Sequence, residues 1–537
     1  MLAAIRSAAV LGIDAYDVIV EVDVALGLPQ WFIVGLPAGA VKESRERVGA
    51  ALVNAGFSVP PRRVTVNLAP ADVRKEGTAF DLPIALGLLV GTGVLDADAV
   101  ARCVVVGELG LDGSIRPVRG ALSIARRISA GCRAGADTLV LPPSNVAEAA
   151  LVTGLRLAAP STLGELVRDL QNGQLSAPSA GVAAVAPVDT IDVADVAGQE
   201  GAKRALEIAA AGSHGILLVG PPGAGKTMLA RRLPTILPAL TNAEALEVTA
   251  VHSVAGLLDA SVGAVARRPF RAPHHSISMA GLVGGGSSPR PGEVSLAHHG
   301  VLFLDELLEF PRSVLEALRQ PMEDGSVTIA RALASVRFPA RFALAAAMNP
   351  CPCGHAGDPT HPCICPAADV LRYRARLSGP LADRIDLHVA VPPLALAQLA
   401  ARARGDTSAT IRERVECARR RQRVRYGDEK GCNARAPGRW LETHGAVQPR
   451  ARTLLTTAGE RLHLSARAFH RVLRVARTIA DLDNSAAVES AHVAEALGYR
   501  PRALIQPGAV EARAVRAPVL SIATREPGAV ASRSAAE

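Results

Sequence analysis

The sequence is poor in aromatic residues, which make up only 3% of its 537 positions. A chain with so few aromatic side chains can gain little from stacking on nucleic-acid bases, so any contact with nucleic acid would depend on backbone charge. Cysteine is also scarce, with eight residues in the whole chain. That number excludes the disulfide framework of a small secreted protein.

Long apolar runs and targeting signals are missing as well. The most apolar run, residues 82–95, follows Asp81, contains Pro83 and is too short to cross a bilayer. The first residues reach Asp14 and Asp17 before a signal-peptide pattern can be completed. We therefore expect a cytoplasmic protein with no membrane segment.

The charge that is present is mostly arginine. The formal net charge is +9 and the isoelectric point is near 9.4. A basic balance favours a polyanionic partner such as nucleic acid. An arginine-rich proteome would produce the same balance, so the charge alone does not identify a ligand.

The order of patterns along the chain predicts a multidomain α/β protein. Strand patterns at residues 18–22, 63–68 and 103–107 alternate with helical patterns at residues 40–55 and 121–130. Ser, Ala, Gly and Pro without a period then indicate a flexible linker, and a similar composition at the end of the chain indicates disorder. The predicted segments are an α/β domain at 1–168, a linker at 169–190, an α/β core at 191–396, a helical domain at 397–502 and a disordered tail at 503–537.

The clearest motif is GILLVGPPGAGKT at residues 215–227, which fits G-x-x-x-x-G-K-[ST]. A buried strand precedes it and a helix over residues 228–232 follows, so the helix N-terminus faces the same anion as the loop. Glycines allow backbone amides to surround phosphates, Lys226 adds a positive charge, and the Thr227 hydroxyl is a ligand for Mg²⁺. The predicted ATP-binding residues are Gly220, Pro221, Pro222, Gly223, Ala224, Gly225, Lys226 and Thr227.

Two further strands end in polar residues of the kind that complete such a site. GVLFLDELLEF at residues 300–310 predicts a buried strand that ends at Asp305 and Glu306. Asp305 would hold Mg²⁺ through water, and Glu306 would polarise the attacking water. The strand at residues 342–348 ends at Asn349, whose amide would contact the γ-phosphate or the water, although Asn before Pro350 also suits a turn.

Three segments together resemble one family. They are GQEGAKRALEIAAAGSHGILLVGPPGAGKT, RPFRAPHHSISMAGLVGGG followed by PRPGEVSLAHHGVLFLDEL, and RLSGPLADRIDLHV. They are similar to the magnesium-chelatase-like AAA+ ATPases of the YifB and ComM type, and the similarity extends over nearly the whole chain. The resemblance implies a hexameric ATPase of the helix-2-insert clade with a P-loop core and a C-terminal helical lid. ComM-type members are branch-migration helicases that act on DNA during recombination.

The resemblance also assigns roles to individual residues. Glu306 and Asn349 match the catalytic carboxylate and the sensor-1 residue. Arg384, in PLADRID, matches the arginine finger, which contacts the ATP of the neighbouring subunit and so makes turnover depend on ring assembly. Arg467 matches the sensor-2 arginine, although Arg471 and Arg474 share its helical face.

The first domain resembles the proteolytic domain of Lon peptidases (S5-type fold) but lacks their catalytic pair. Ala79 stands at the position of the nucleophilic serine, and Leu122 stands at the position of the lysine base. Without a hydroxyl and its amine base there is no activated nucleophile. The interpretation is a binding or assembly domain without peptidase activity.

Half of the cysteines fall in NPCPCGHAGDPTHPCIC, namely Cys351, Cys353, Cys363 and Cys365. Thiolates paired across a short loop rich in Gly and Pro suit structural Zn²⁺, with His355 and His361 as substitute ligands. The pairs are C-x-C rather than C-x-x-C, so four reduced thiols without metal remain an alternative.

Two clusters of basic residues are candidate DNA contacts. One lies in a segment that the family would place in a pore-facing insert, and the other in an arginine-rich stripe of the helical domain, where phosphate contacts would be independent of sequence and sensitive to salt. A solvated helix face would explain the stripe equally well. The candidates are Arg268, Arg271, His274, Arg419, Arg420, Arg421, Arg423 and Arg425.

The sequence thus favours an ATP-driven hexameric motor that acts on single-stranded or branched DNA, with a branch-migration helicase as the leading interpretation. The alternative is a chelatase-type ATPase that remodels a protein partner so that metal enters a tetrapyrrole. Such motors usually lack a fused Lon-like domain, which weighs toward DNA.

Overall fold

The structure, a computed structural model, describes residues 1–131, 137–175, 177–178, 191–259, 263–286, 289–331, 334–358, 361–394, 405–427 and 431–500. The predicted tail at 503–537 and most of the predicted linker at 169–190 lie outside the described residues. Residues Met1–Arg500 form one compact unit.

A seven-stranded mixed sheet forms the first part of the chain, with the strand order β3-β4-β2-β1-β5-β8-β9. Alternating burial along β1 places every second side chain against α3 and the core, as the pleat of a strand requires. The elements are β1 (Leu2–Leu11), β2 (Asp14–Ala25), β3 (Gln30–Val34), α1 (Gly39–Lys42), α2 (Ser44–Asn54), β4 (Arg63–Ala69), α3 (Asp81–Gly91), α4 (Ala97–Val100), β5 (Cys103–Val105), β6 (Glu108–Leu109), β7 (Ile115–Arg116), α5 (Ala121–Gly131), β8 (Thr138–Val140), α6 (Val146–Ala149), β9 (Arg156–Ala158) and α7 (Leu163–Gln171).

Two boundaries differ from the sequence prediction. The predicted helix at residues 40–55 is two helices, α1 and α2, which meet at Glu43. Helix α7 continues to Gln171, beyond the predicted domain end at residue 168. Its N-cap Thr162 accepts a hydrogen bond from the backbone of Glu165, and its end is marked by Gly173, which follows the C-cap Asn172 with a φ of +66°.

A five-stranded parallel sheet forms the second part, with the order β11-β14-β17-β10-β18. Helices cover it, as parallel sheets require. The elements are α8 (Glu200–Gly212), β10 (Ile216–Val219), α9 (Lys226–Ile236), α10 (Asn242–Ala255), β11 (Phe270–Arg271), α11 (Met279–Val283), β12 (Gly284–Gly285), β13 (Arg290–Pro291), α12 (Glu293–Leu296), β14 (Val301–Leu304), α13 (Arg312–Ala317), α14 (Arg319–Asp324), β15 (Ser326–Arg331), β16 (Ala334–Pro339), β17 (Ala343–Met348), α15 (Ala367–Arg374), α16 (Gly379–Ala382) and β18 (Leu387–Ala390).

Two antiparallel pairs project from this part, β12 with β13 and β15 with β16. The two pairs lie side by side. A Cβ built on Gly284 of β12 would lie 3.0 Å from Cδ1 of Ile329 in β15. Arg331 also donates a hydrogen bond of 3.2 Å from Nε to the carbonyl of Gly286.

Helices form the last described part. Helix α17 packs on α8, α9 and α20, and Thr407 and Ser465 cap α17 and α20. The helices are α17 (Ser408–Tyr426), α18 (Gly438–His444), α19 (Pro449–Arg461), α20 (Ala466–Leu482) and α21 (Ser490–Gly498). Among the described residues, no helix combines the length and the hydrophobicity needed to cross a membrane.

Candidate functional site

The parallel sheet brings the three predicted motifs to one edge. The P-loop follows β10, Asp305 follows β14, and Asn349 follows β17, and these three strands are neighbours in the sheet. Carboxyl ends of parallel strands lie at the same edge, so the side chains that follow them converge there. A cavity of about 460 Å³ lies between them, lined by P-loop residues together with Asp305, Glu306 and Asn349.

Glycines shape the loop that follows β10. Gly223 and Gly225 have φ values of +76° and +89°, which side chains with a Cβ rarely adopt. A Cβ on Gly220 would lie 2.2 Å from the carbonyl oxygen of Val391, so only glycine fits there. Helix α9 begins at Lys226, two residues before the predicted start, and extends to Ile236. Its N-terminus therefore opens directly on the cavity.

Lys226 lies among oxygen atoms of the loop and of the neighbouring strand. Its Nζ donates hydrogen bonds to the carbonyls of Gly220 (2.8 Å) and Pro221 (2.9 Å) and to Oδ1 of Asn349 (3.0 Å). Burial lowers the pKa of Lys226, while the negative charges of Asp305 and Glu306 oppose that change. A half-buried ammonium held this way is positioned for an anion that enters the loop.

The two acidic residues after β14 have different environments. Oδ2 of Asp305 accepts a hydrogen bond of 2.6 Å from the hydroxyl of Thr227. Two oxygen donors this close together suit a hard cation such as Mg²⁺. The Glu306 side chain is 59% exposed to the cavity and solvent, and its Oε2 lies 3.5 Å from Nδ1 of His275. Its φ of +51° is unusual for a residue with a side chain.

Arg384 and Arg467 do not line the cavity beside the P-loop. Both line a second cleft, which also contains Glu323, Arg471 and Arg474. The guanidinium of Arg384 is 6% exposed, pairs with Glu323, and donates a hydrogen bond of 2.8 Å to the carbonyl of Pro380. The predicted finger and the predicted sensor 2 thus lie together, and apart from the P-loop of their own chain.

The four clustered cysteines come within reach of one another. Their Sγ atoms all lie within 4.8 Å of each other. The pairs Cys351 with Cys353, Cys351 with Cys363, and Cys353 with Cys363 are separated by 3.4, 3.6 and 3.6 Å. None of the four forms a disulfide. The sulfur atoms therefore offer a compact donor set for a soft or borderline metal ion.

The basic residues predicted in the insert have intramolecular partners. Arg268 is largely buried, pairs with Glu244 at 2.9 Å, and donates to the carbonyls of Pro238 and His299. Arg271 forms two hydrogen bonds with Glu293, of 2.6 and 2.7 Å. His274 is exposed and bonds to the Ser276 hydroxyl. The geometry argues against DNA contacts for Arg268 and Arg271, because their charges are already compensated.

The arginine stripe on α17 mostly serves the packing of that helix. Arg419 bonds to the carbonyl of Ala210 (3.0 Å) and to the Ser213 hydroxyl (2.8 Å). Arg421 bonds to the Asp481 carbonyl, and Arg425 pairs with the Asp481 carboxylate, which is buried. These three arginines have hydrogen-bond partners within the fold that help to pack α17, so a DNA contact by any of them would compete with those bonds. Arg420 is exposed and Arg423 is half-buried.

Some residues around the site were not singled out by sequence reasoning. His214 donates or accepts at both ring nitrogens, to Asp386 (2.8 Å) and to Thr478 (2.8 Å), and joins the β10 and β18 region to α20. Arg471 binds the carbonyl of Arg384 (2.7 Å) and the Asp386 carboxylate. These contacts join segments far apart in sequence, so no local pattern signals them.

Exposed arginines on the paired hairpins were also missed. Arg290, Arg331 and Arg337 are all exposed. Arg331 belongs to β15 and Arg337 to β16, whereas Arg290 belongs to β13. Single arginines at strand positions are too common in sequences for a local pattern to single them out.

Family profiles match most of the chain. The profile described as magnesium chelatase, subunit ChlI, matches residues 192–399. A second, subunit ChlI of Mg-chelatase, matches residues 20–145, and a third, its C-terminal part, matches residues 405–500. The ranges 192–399 and 405–500 contain the parallel sheet and the described helices of the last part, whereas the range 20–145 covers the mixed sheet without β1 and β9.

Individual proteins are similar over nearly the full length. The chain is 45% identical to the competence protein ComM of Haemophilus influenzae over 506 residues, which cover 93% of this chain and 97% of that protein. It is 42% identical to YifB of Escherichia coli over 508 residues, with the same coverage of each chain. The magnesium-chelatase 38 kDa subunit of Cereibacter sphaeroides is 27% identical over 171 residues, covering 28% of this chain and 50% of that subunit. The resemblance found in the sequence is confirmed, and the chain belongs to the magnesium-chelatase-like family of the ComM and YifB type.

Proposed function

We propose that this protein is an ATP-driven motor that acts on single-stranded or branched DNA, as a branch-migration helicase in recombination or transformation. The observation that carries the ATPase half is the convergence of Lys226, Thr227, Asp305, Glu306 and Asn349 on one cavity. The DNA half draws on the 45% identity with the competence protein ComM of Haemophilus influenzae.

The cofactors of this proposal are ATP and Mg²⁺. Backbone amides of the glycine loop and Nζ of Lys226 hold the phosphates, and the oxygens of Thr227 and Asp305 hold the cation. When bound, Mg-ATP supplies the phosphoryl group and a cation that neutralises its charge. Glu306 orients and polarises the attacking water, and the Asn349 amide fixes the position of that water or of the γ-phosphate.

The positions of two arginines support the proposed ring. Arg384 and Arg467 line a cleft separate from the P-loop, which fits a role at the ATP of a neighbouring subunit in the proposed hexamer. In the single chain Arg384 pairs with Glu323, so subunit docking must exchange that carboxylate for the phosphate. A guanidinium supplied in trans neutralises developing phosphoryl charge, which makes turnover depend on the ring.

We place the proposed DNA surface on the two hairpins, rather than on the α17 stripe that the sequence suggested. Arg290, Arg331 and Arg337 are exposed on two hairpins that lie side by side. Exposed guanidinium groups of this kind suit contact with phosphates, without reading base edges. His274 and Arg420, both exposed, remain proposed contacts at the periphery.

The first domain is proposed to be a Lon-like binding or assembly module without peptidase activity. Ala79 has no hydroxyl, and Leu122 is completely buried in the core of the domain. The domain is joined to α10 by a hydrogen bond between Ser253 and Glu148, and by another from the amide of Gly120 to the carbonyl of Ser253 (3.3 Å).

The unpaired thiols of the described cysteines fit a reducing cytoplasm.

A chelatase-type role is the second candidate, favoured by the match to the 38 kDa subunit of magnesium chelatase. That match covers only 28% of this chain. The two roles are separated by a strand-displacement assay on forked and four-way DNA with ATP. Migration of the junction that requires both ATP and Glu306 supports the DNA motor, and no migration by a verified hexamer contradicts it.

A further inference from the structure

The sequence places Cys351, Cys353, Cys363 and Cys365 in a loop that we name the cysteine knuckle, residues 351–358 and 361–365. The loop begins two residues after Asn349 and ends just before α15. Glycines at 354 and 357 take φ values of +88° and +83°, which let the chain turn back on itself between the two C-x-C pairs.

Sulfur spacing in the knuckle matches a tetrahedral metal centre. With Zn–S bonds of about 2.3 Å, the sulfur atoms of a tetrahedron lie about 3.8 Å apart. The distances of 3.4, 3.6 and 3.6 Å among Cys351, Cys353 and Cys363 are close to that edge. Disulfide sulfurs would be about 2.0 Å apart, so oxidation does not account for the cluster.

Backbone amides stabilise negative charge on two of the sulfurs. The amide of Ala356 donates to Sγ of Cys351 at 3.2 Å, and the amide of Cys353 donates to Sγ of Cys365 at 3.3 Å. Hydrogen bonds from amides to thiolates orient metal ligands from outside the coordination shell. Soft thiolates select Zn²⁺ over Mg²⁺ or Ca²⁺, which prefer oxygen.

The neighbouring histidines have other partners. Nδ1 of His355 lies 3.3 Å from Asp358, and Nδ1 of His361 lies 3.5 Å from the same carboxylate oxygen. Because both imidazole rings lie beside the Asp358 carboxylate, we assign the four sulfur atoms, and neither histidine, as the metal ligands.

The knuckle rests directly on the ATP-binding loop. Gly354 is buried against Pro222, and a Cβ on Gly354 would lie 2.6 Å from Cδ of that proline. The knuckle is also joined through the chain to the strand end that carries Asn349, because only Pro350 separates Asn349 from Cys351. Arg374 of α15 adds a hydrogen bond of 3.1 Å to the Pro350 carbonyl.

We infer that the cysteine knuckle is a structural Zn²⁺ site that braces the ATP-binding loop through Pro222 and fixes the strand end that carries Asn349. Nucleotide binding therefore depends on metal held outside the cavity. The bracing role rests on the ATP site proposed above, whereas the presence of zinc in the knuckle does not.

The test uses the full chain purified with reductant and no added chelator. Elemental analysis measures zinc per chain, and titration of a fluorescent ATP analogue measures nucleotide affinity, which does not require hydrolysis. We expect about one Zn²⁺ per chain, its loss in Cys363→Ser, and its retention in Cys417→Ser, which removes an exposed cysteine outside the knuckle. A wild-type protein without zinc overturns the site.

A glycine pair tests the brace with all four thiols intact. Gly354→Ala and Gly357→Ala carry the same backbone strain, but only residue 354 contacts Pro222, whereas a Cβ at 357 meets no atom within 4 Å. We expect both variants to keep zinc and only Gly354→Ala to weaken nucleotide affinity, by about tenfold. Equal affinities of the two variants overturn the brace.

Failure here is distinguishable from failure of the proposed function. A zinc-loaded wild-type protein that binds the nucleotide but neither hydrolyses ATP nor responds to DNA contradicts the motor. In that case the nucleotide affinities of the two glycine variants still test whether the knuckle braces the ATP-binding loop.

Discussion

Thr227 and Asp305 are joined by a hydrogen bond of 2.6 Å from the threonine hydroxyl to the carboxylate. They come from motifs that follow β10 and β14, separated in the sheet by β17. A bound Mg²⁺ would be held by these two residues, with the Thr227 hydroxyl as a ligand and Asp305 acting through water. Each residue is part of a local sequence motif, and the order of strands in the parallel sheet brings the two motifs together.

The first prediction concerns the phosphate-binding lysine. Lys226→Ala removes the positive charge that faces the phosphates, so nucleotide binding should fall at least 100-fold. Isothermal titration with ATP and Mg²⁺ measures the affinity. Lys42→Ala, an exposed lysine in the first domain, is the matched control and should bind as the wild type does. Unchanged affinity in Lys226→Ala would sink the assignment of the site.

The second prediction separates binding from hydrolysis. Glu306→Gln keeps the shape of the side chain but cannot accept a proton from water, so ATP should bind normally and turnover should fall about 100-fold or more. Steady-state phosphate release measures the rate. Glu309→Gln alters an exposed glutamate on the same turn, which pairs with Arg376, and should leave turnover unchanged. Wild-type turnover in Glu306→Gln would remove Glu306 from the mechanism.

The third prediction tests the finger across subunits. Arg384→Ala should bind ATP and lose about 10³-fold or more in turnover. Mixing Arg384→Ala with Lys226→Ala should restore part of the activity, because an intact Lys226 site then meets an intact Arg384 from its neighbour. Mixed rings with no recovered turnover at any ratio would argue that Arg384 does not act in trans.

The fourth prediction follows from the buried Asp386. Burial by itself raises the pKa of Asp386, but the hydrogen bond with His214 and the charges of Arg471 and Arg500 hold it well below its usual value. A carboxyl whose pKa is lower in the folded chain than in the unfolded chain stabilises the fold above the unfolded pKa of about 3.9. That contribution is lost as the pH falls below this value.

Asp386→Asn should therefore destabilise the protein at pH 7 by about 3–5 kcal/mol, since buried cations lose their partner. It should also flatten the decline in unfolding temperature between about pH 4.5 and pH 3. Asp383→Asn, half-buried in the same segment, is the control and should change neither. A pH profile for Asp386→Asn that matches the wild type would refute the role of this carboxylate.

The elements of the proposed ATP site were predictable from sequence because each of them is a local pattern. Strand, glycine loop and helix are contiguous around Lys226, and Glu306 and Asn349 each end a buried apolar run. Sequence reasoning also identified a mixed α/β protein with a helical C-terminal part, and the structure confirms this.

The partners of the basic residues on α17 could not be predicted from the sequence, for a physical reason. Arg419, Arg421 and Arg425 form a dense local charge, yet their partners, near Ala210 and at Asp481, are remote in sequence. Whether an arginine serves packing or faces solvent depends on those remote partners. Exposed arginines on the hairpins, such as Arg331, gave no comparable local signal.

The fifth prediction assigns the salt-sensitive contacts to the hairpins. Changing Arg290 and Arg331 together to alanine should leave ATP turnover without DNA unchanged and weaken DNA binding. Each lost phosphate contact should lower the slope of log affinity against log salt by about one unit. Arg439→Ala, exposed on α18, is the control. Fluorescence anisotropy on a labelled single strand measures both quantities, and an unchanged slope in the double variant would exclude the hairpins.

The most direct test of a DNA motor is the ATP turnover of the wild-type protein with and without DNA, once the protein is shown to be hexameric. Single-stranded and four-way DNA should each raise the rate at low salt. The stimulation should decline as salt increases, because counterions compete for the phosphate contacts. Glu306→Gln should show the same large loss of turnover, about 100-fold or more, under either condition. A hexamer that hydrolyses ATP at one rate with and without DNA, across the low-salt range, would contradict the motor and leave the ATPase itself intact.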